Sequence, residues 1–525
     1  MSVSFPTSGG AAGAPQENGA AGLDFVDLEE VKPDHDAMSL APGDFALKYQ
    51  VLPIRQENGV LYVAIGNLGS LQAVDDLGIL LGVSVKAVLA NPNQLRERIE
   101  ERFLEGMLEG IPGEEQLPTE IDEATDLADL QRLAGETAVV QMVNLIFAQA
   151  VRDLASDIHV EPYEREIKVR YRVDGMLRDV MKPPKRMHAA LVSRIKILAE
   201  LNIAERRLPQ DGRIRLTIAG RNIDVRVSIV PTVFGERAVM RILDKTTAML
   251  GLEELGMLPD TLEKFRRLIA MPYGIILSTG PTGSGKSTTL YAALQEIWSP
   301  TTNILTIEDP VEYQVPGIGQ IQVRNNIGLS FANGLRSIVR QDPDVIMVGE
   351  IRDLETAEIA VHASLTGHLV FSTLHTNDAP GAITRLEDMG VEPYLVASSL
   401  LGVLAQRLVR RNCPTCSEAA DYGDDALRAL GISRDEAKAA RFQKGKGCDK
   451  CLGTGFKGRQ GVFELLLVDE DVRHLTVERS ASSVIRDYAL KNQGMRTLLG
   501  DGRLAVLAGK TTPEEVLRVC QRDEL

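Results

Sequence analysis

The residues whose types and spacing carry the clearest chemistry are Gly280-Pro281-Thr282-Gly283-Ser284-Gly285-Lys286-Ser287. They satisfy G-x-x-x-x-G-K-[ST] in full. Glycines let the backbone turn sharply, so that its N–H groups face inward around phosphate oxygens. On this reading Lys286 reaches the β/γ-phosphates and the Ser287 hydroxyl sits on Mg²⁺. Thr288 completes the binding stretch and opens a helix whose N-terminus adds positive partial charge. Two carboxylates are candidates to work with this loop. Glu350 follows the apolar run Val345–Val348 and is expected to hold Mg²⁺ or its bound water. Glu308 ends the run Ile304–Ile307 and is expected to orient an attacking water, although the two roles can be exchanged. His375 follows a further apolar run and could sense the terminal phosphate; His362 and His368 are weaker candidates.

A second group is Cys413-Pro-Thr-Cys416 and Cys448-Asp-Lys-Cys451. Two CxxC pairs at this separation suit four thiolates around a tetrahedral Zn²⁺ with no open position, hence a structural site. The charged loop between them offers little core of its own, and zinc thiolates supply on the order of 10–16 kcal/mol in small sites. A redox CxxC or buried free thiols are the alternatives. Cys520 reads as a core thiol.

The loop needs a strand before it and a helix behind it. Ile275-Ile276-Leu277 and Thr288–Ile297 supply both. Continuous apolar runs are the mark of strands buried on both faces, and ligands sit beyond the carboxyl ends of such sheets. The polar residues ending the runs at 304, 345 and 369 should therefore converge on one nucleotide. The reading is an α/β, multidomain P-loop NTPase with a RecA-like core at 249–408. Ahead of it, residues 137–248 read as an α+β (PAS-like) domain, with a helix from Thr137 and alternating strands at 167–173, 214–218, 223–227 and 238–243. This domain is rich in arginine: Arg170, Arg172, Arg207, Arg213, Arg215, Arg226, Arg237 and Arg241. Most such charge is the wet face of a sheet; a phosphate clamp is the sharper reading.

Residues 46–105 read as a small α/β unit whose hairpin turns at Asn58-Gly59. Residues 1–22 are mostly Gly, Ala, Ser and Pro, and 23–45 are acidic, so 1–45 is expected to be a loosely ordered tail. Residues 106–136 are expected to be an acidic linker. Residues 409–460 hold the cysteines, and 461–525, with apolar residues at Leu465–Leu467, read as a helical bundle. Among 525 residues the formal net charge is −15. That weighs against a protein built to hold nucleic acid. No apolar run reaches the roughly 18 residues of a membrane helix, and no signal peptide is evident, so a cytoplasmic chain is expected.

Read together, four blocks resemble the Walker A, Asp-box, Walker B and His-box of the secretion ATPase superfamily. They are Gly280–Ser287, Ile304–Glu312, Arg340–Asp353 and Thr366–Asn377. The motifs Ser156–Glu161, Arg172–Gly175, Pro209–Arg213 and Asp224–Arg226 resemble the second N-terminal domain of type II secretion and type IV pilus assembly ATPases. The segment Gly235–Arg241 leans toward the secretion branch. The resemblance implies a homohexameric ring that binds ATP with Mg²⁺ and contains Zn²⁺. It also implies that arginines of the preceding domain complete the site, Arg213 and Arg226 falling on the matching positions and Arg241 being weaker. Its partners would be an inner-membrane platform protein and, through residues 46–105, the cytoplasmic domain of an inner-membrane secretion component. The protein would be peripheral to that membrane, with no nucleic acid partner. Pilus-type relatives often carry a tandem cyclic-di-GMP module; no such repeat is evident, and 46–105 looks like the secretion-type docking domain. Retraction motors lack the cysteine insert. The rivals are a pilus assembly motor, a RecA-like DNA translocase, and a scaffold that binds nucleotide without hydrolysing it.

Overall fold

In the computed structural model the chain forms two compact units, Met1–Thr246 and Thr247–Leu525. The structure describes residues 23–520 apart from 29–30, 32, 42–44, 47–48, 93, 96–97, 100–136, 219–220 and 245–249. The part of the expected tail over 1–22 and the linker over 106–136 lie outside the described residues, as do Ala219 and Gly220 between two of the expected strands.

The first unit contains two sheets. Strands β1 (Phe25–Val26), β2 (Val51–Glu57), β3 (Val60–Ile65) and β4 (Ser84–Ala90) lie in the order β1-β4-β3-β2. The β2–β3 hairpin turns at Asn58 and Gly59, both with positive φ, as a two-residue turn between twisted strands demands. Helices α1 (His35–Ser39) and α2 (Leu71–Leu81) accompany the sheet. Here the expectation for 23–45 is corrected. Phe25-Val26 pairs in parallel with β4, and Val26 and Leu28 are fully buried in the domain core. The acidic neighbours Asp24, Asp27, Glu29 and Glu30 hide this short strand from a reading by composition.

Helix α3 (Thr137–Arg152) leads into the second sheet, which is antiparallel throughout. Its strands are β5 (Asp157–Pro162), β6 (Ile167–Val173), β7 (Met176–Met181), β8 (Gln210–Ile218), β9 (Arg221–Thr232) and β10 (Gly235–Asp244), in the order β7-β6-β5-β10-β9-β8. Helix α4 (His188–Leu198) precedes β8. Alternation does the sorting. Ile158, Val160, Val169, Tyr171, Ile214, Val225 and Met240 share one core with α3 and α4. The residues between them are the polar, arginine-rich set.

The second unit is built on seven strands. They are β11 (Gly274–Thr279), β12 (Ile304–Glu308), β13 (Gly319–Gln322), β14 (Val345–Val348), β15 (Leu369–Leu374), β16 (Leu400–Asn412) and, after the cysteine insert, β19 (Phe456–Leu467). The order is β13-β12-β14-β15-β11-β16-β19. All pairings are parallel except β16 with β19. Ile275, Leu277, Ile346, Val348 and Val370 face a core with helices α7 (Phe331–Ile338), α8 (Leu354–Leu365) and α9 (Pro380–Asp388). Ile276, Ile304, Val345, Met347 and Phe371 face the other, with α5 (Pro259–Ile269) and α6 (Lys286–Ile297). Both faces being covered is why these strands read as unbroken apolar runs.

Two expectations change here. Leu465–Leu467 is not helical: it ends β19, paired antiparallel with β16. Nor does the insert lack a core. Its strands β17 (Ser417–Ala419) and β18 (Gln443–Gly445) pair, and Leu427, Leu430, Ile432 and Phe442 are buried in the main core. Helices at Glu470–Val477, Ser482–Asn492, Leu498–Leu507 and Pro513–Val519 close the chain. Among the described residues no helix is long and apolar enough to cross a membrane.

Candidate active site and metal centre

The loop between β11 and α6 has the backbone its glycines permit. Gly280 and Gly285 have φ of 147° and 93°, values a side chain resists. A Cβ at Gly280 would meet the Gln406 carbonyl oxygen at 2.6 Å, and one at Gly285 the Gln406 amide nitrogen at 2.6 Å. Gln406 of β16 thus braces the loop; it also accepts the Thr289 hydroxyl hydrogen at 2.7 Å. Lys286 is buried, with Nζ donating to the carbonyls of Gly280 (2.8 Å) and Pro281 (3.2 Å). Burial pushes its pKa down to about 8, opposed by Glu350 and reinforced by Arg407. Ser287 is exposed at the first turn of α6.

Glu350 and His375 stand at the carboxyl ends of β14 and β15. One Glu350 oxygen pairs with Arg352 at 2.6 Å, and the other lies 3.6 Å from His375 Nε2. Burial and the Lys286 charge hold the His375 pKa below its ordinary value. Glu308 is more deeply set, 4% exposed. Its carboxylate accepts from Tyr291 of α6, from Thr306 at 2.6 Å and from Gln320 of β13 at 3.1 Å. The loop after β15 is tied down as well. Thr376 and Thr279 hydroxyls meet at 2.7 Å, Asp378 pairs with Arg486, and the Ala379 N–H donates to buried Glu464 at 2.8 Å. His368 accounts for itself structurally, its Nδ1 lying 2.7 Å from the Ala363 carbonyl at the end of α8. His362 is exposed on α8.

Three of these groups escape a sequence reading. Tyr291, Gln320 and Arg407 look like ordinary helix and strand residues. Only the fold brings them to the carboxyl ends of the strands.

The arginines belong to the first unit. Arg213, Arg226, Arg241, Asp157 and Arg172 form one continuous row across the strands. Beneath them lie acids that the sequence motifs contain but to which sequence alone gives no role. Arg213 forks onto Asp224, which is 2% exposed. Arg241 and Arg172 share Asp157 at 3.1 and 3.5 Å, and Arg170 and Arg237 share Glu161 at 2.6 and 2.7 Å. The alternation Asp157-x-His159-x-Glu161 was the available signal. The face is therefore an interleaved ion network rather than a bare basic surface.

The four cysteines converge. Their sulfurs lie within 4.8 Å of one another, with Cys413–Cys448 at 3.9 Å, Cys416–Cys451 at 3.8 Å and Cys448–Cys451 at 3.7 Å. Tetrahedral thiolates at a metal–sulfur distance of about 2.3 Å would be about 3.8 Å apart, so the arrangement fits a four-thiolate metal. Cys451 Sγ also accepts the N–H groups of Cys448 and Gly455, each at 3.2 Å, the usual support for a metal thiolate. Cys413 is reached directly from the end of β16, and Cys448–Cys451 precede β19.

Residues 132–518 match the family model described as type II/IV secretion system protein. The chain belongs to that family. Residues 21–107 match the MshEN domain model, beginning close to β1 rather than at the expected residue 46. The chain is 56% identical over 405 residues to type II secretion system protein HxcR of Pseudomonas aeruginosa, covering 77% of this chain and 81% of that protein. It is 43% identical over 502 residues to the type IV pilus assembly ATPase PilB of Myxococcus xanthus, covering 94% and 88%. Among solved structures it resembles the pilus retraction motor PilT with bound ADP, at a TM-score of 0.50 and 27% identity over 72% of this chain and 97% of that one. As a member of the secretion family it is an ATP-hydrolysing P-loop enzyme with an α/β core.

Proposed function

We propose that this protein is a cytoplasmic motor ATPase that converts ATP to ADP and phosphate to drive type II protein secretion through pseudopilus assembly. The observation that carries the proposal is the meeting of Lys286, Glu350 and His375 at the ends of adjacent parallel strands beside a full P-loop, in a chain so similar to a type II secretion protein. The loop N–H groups and Lys286 hold the phosphates; Ser287 and Glu350 would hold Mg²⁺, which would supply positive charge for phosphoryl transfer. Glu308 orients a water whose oxygen bonds to the γ-phosphorus as the bond to the bridging oxygen breaks and ADP leaves. For this at least one Glu308 oxygen must be released from Tyr291, Thr306 or Gln320. Arg213 and Arg226 stabilise the developing charge in an assembled homohexamer. The cysteines hold a structural Zn²⁺. The N-terminal domain docks on a cytoplasmic segment of an inner-membrane component, and the ring works on a membrane platform, which makes the protein peripheral to the inner membrane.

The similarity to PilB over 94% of the chain favours a second reading, a pilus assembly motor with the same catalytic residues. ATP turnover should be measured on the purified chain, alone and with the cytoplasmic part of its membrane partner, with mass followed by light scattering. Stimulation together with a hexamer-sized species is expected; stimulation by DNA instead would overturn the motor reading. Deleting the gene and assaying both secreted protein and surface pili separates the two motors.

A further inference from the structure

Two cations are buried where the strands of the second unit end: Lys286 and, from β16, Arg407. Arg407 is 9% exposed. Its Nη1 donates to the Gln406 carbonyl at 3.1 Å, and its Nη2 to the Asn377 carbonyl at 2.9 Å, with Asn377 Oδ1 at 3.5 Å. These acceptors are all neutral. A buried guanidinium ordinarily takes a carboxylate, because losing water around a charge costs several kcal/mol. The acids facing it are committed elsewhere. Asp378 pairs with Arg486. Glu464 gives its two oxygens to the N–H groups of Ala379 and Leu498, and burial pushes its pKa up to about 7. Lys286 and the Cys520 thiol are the remaining titratable neighbours. The guanidinium also lies against the loop itself: a Cβ on Gly280 would be 3.1 Å from Nη1. Of its five N–H donors, neutral oxygens within 3.2 Å take two.

We propose that Arg407 is a cation of the nucleotide site supplied by β16, with the polyphosphate cradled by Gly280–Ser287 as its counter-ion. This rests on the nucleotide-site reading above. The free protein bears the cost of an unbalanced buried charge, and binding of an anionic nucleotide relieves it. A residue that only staples β16 to the loop after β15 would behave in the opposite way, stabilising the free chain and leaving nucleotide affinity alone.

The test is thermal melting and equilibrium binding of MgADP to the full chain, for wild type, Arg407→Gln and Arg407→Lys, with Lys286→Ala alongside. Removing the charge should weaken ADP binding about tenfold or more while leaving the nucleotide-free melting midpoint unchanged or higher; the Lys variant should stay within about threefold of wild type. A Gln variant that melts several degrees lower yet binds ADP normally would overturn the proposal, as would Lys and Gln variants that bind ADP alike. If the Gln variant does not fold, a folded Lys variant that loses ADP binding about tenfold overturns it, since the charge has been kept. A wild-type chain whose midpoint ADP does not move would instead sink the nucleotide-site reading.

Discussion

Lys286 holds its proton loosely in the free chain, because burial brings its pKa from 10.5 down to about 8. A polyphosphate beside it favours the charged form and pulls the pKa back up. Near pH 7 and below the amine is almost wholly charged both free and bound, so binding moves almost no proton. Between about 8 and 10.5 the free amine is partly neutral, and binding takes a proton up. Calorimetry of MgADP binding in two buffers of different ionisation enthalpy should show uptake approaching about one proton near pH 9 and none at pH 7; the same uptake in Lys286→Met would assign the proton to another group. For the free chain the sign is that of a lowered lysine: a cost in full below pH 8, relieved as pH climbs toward 10.5. Glu308 gives a kinetic prediction. Glu308→Gln should keep ATP binding and lose about 100-fold or more in kcat. Tyr291→Phe removes one donor but keeps the ring that meets Tyr313 edge-on. It should change kcat by about tenfold at nearly constant KM, and the change should vanish when Glu308 is already Gln. Turnover equal to wild type in Glu308→Gln would give the water-orienting role to Glu350.

At the scale of elements, Glu464 of β19 ties the loop after β15 to the N-terminus of the helix Leu498–Leu507 through two N–H bonds. Burial raises its pKa from 4.5 to about 7, and burial likewise raises Asp501 from 3.8 to about 6. A raised carboxyl favours folding while it is protonated. Its contribution is complete below the unfolded value and is lost as pH rises through the folded one. Melting midpoints should therefore fall from pH 5 to pH 8, and Glu464→Gln should flatten the slope by on the order of 2–3 kcal/mol over that range. A slope unchanged in the variant would place the titration elsewhere. The elements themselves were unevenly legible. The four strands leading to the site were plain, because two-sided burial leaves them mainly apolar, with only small hydroxyl residues such as Ser278, Thr306 and Ser372 among them. Strand β16 was not, because Gln406, Arg407, Arg410 and Arg411 interrupt its apolar residues, and two of them are buried for reasons that exist only in three dimensions. Leu465–Leu467 misled for a related reason: three leucines in a row fit a helix or a strand equally, and only pairing with β16 decides. Site residues that lie in motifs could be found by spacing. Tyr291 and Gln320 could not, since a donor to a buried carboxylate has no sequence pattern of its own.

For the whole molecule, the cysteine cluster predicts about one Zn per chain in purified protein, measured by elemental analysis. Stripping it with a strong chelator should lower the melting midpoint, since Leu427, Leu430, Ile432 and Phe442 of the insert belong to the main core. A metal-free chain of unchanged stability would refute the site. The arginines of the first unit need a more careful test than simple truncation. Asp224 is buried beneath Arg213, so Arg213→Ala takes a cation from a buried carboxylate and should lower the melting midpoint whatever its effect on turnover. ATP binding, turnover and melting should be followed together. Slow turnover with intact ATP binding is the expected signature for Arg226→Ala. For Arg213→Ala a lowered midpoint with normal turnover per folded molecule would mark Arg213 as structural.

Strand β16 has a consequence that reaches past either site. Gln406 and Arg407 attend the phosphate loop, and Cys413 follows the same strand by six residues, about 20 Å along an extended chain. Whatever holds the four sulfurs fixes one end of a strand whose middle braces the Gly280–Ser287 loop. The expected outcome is that metal and nucleotide act as heterotropic ligands of one another. By whatever factor metal occupancy alters the affinity for ADP, ADP must alter the affinity for the metal by the same factor. A titration of either one, run with and without the other, would read the stiffness of that strand as a coupling free energy.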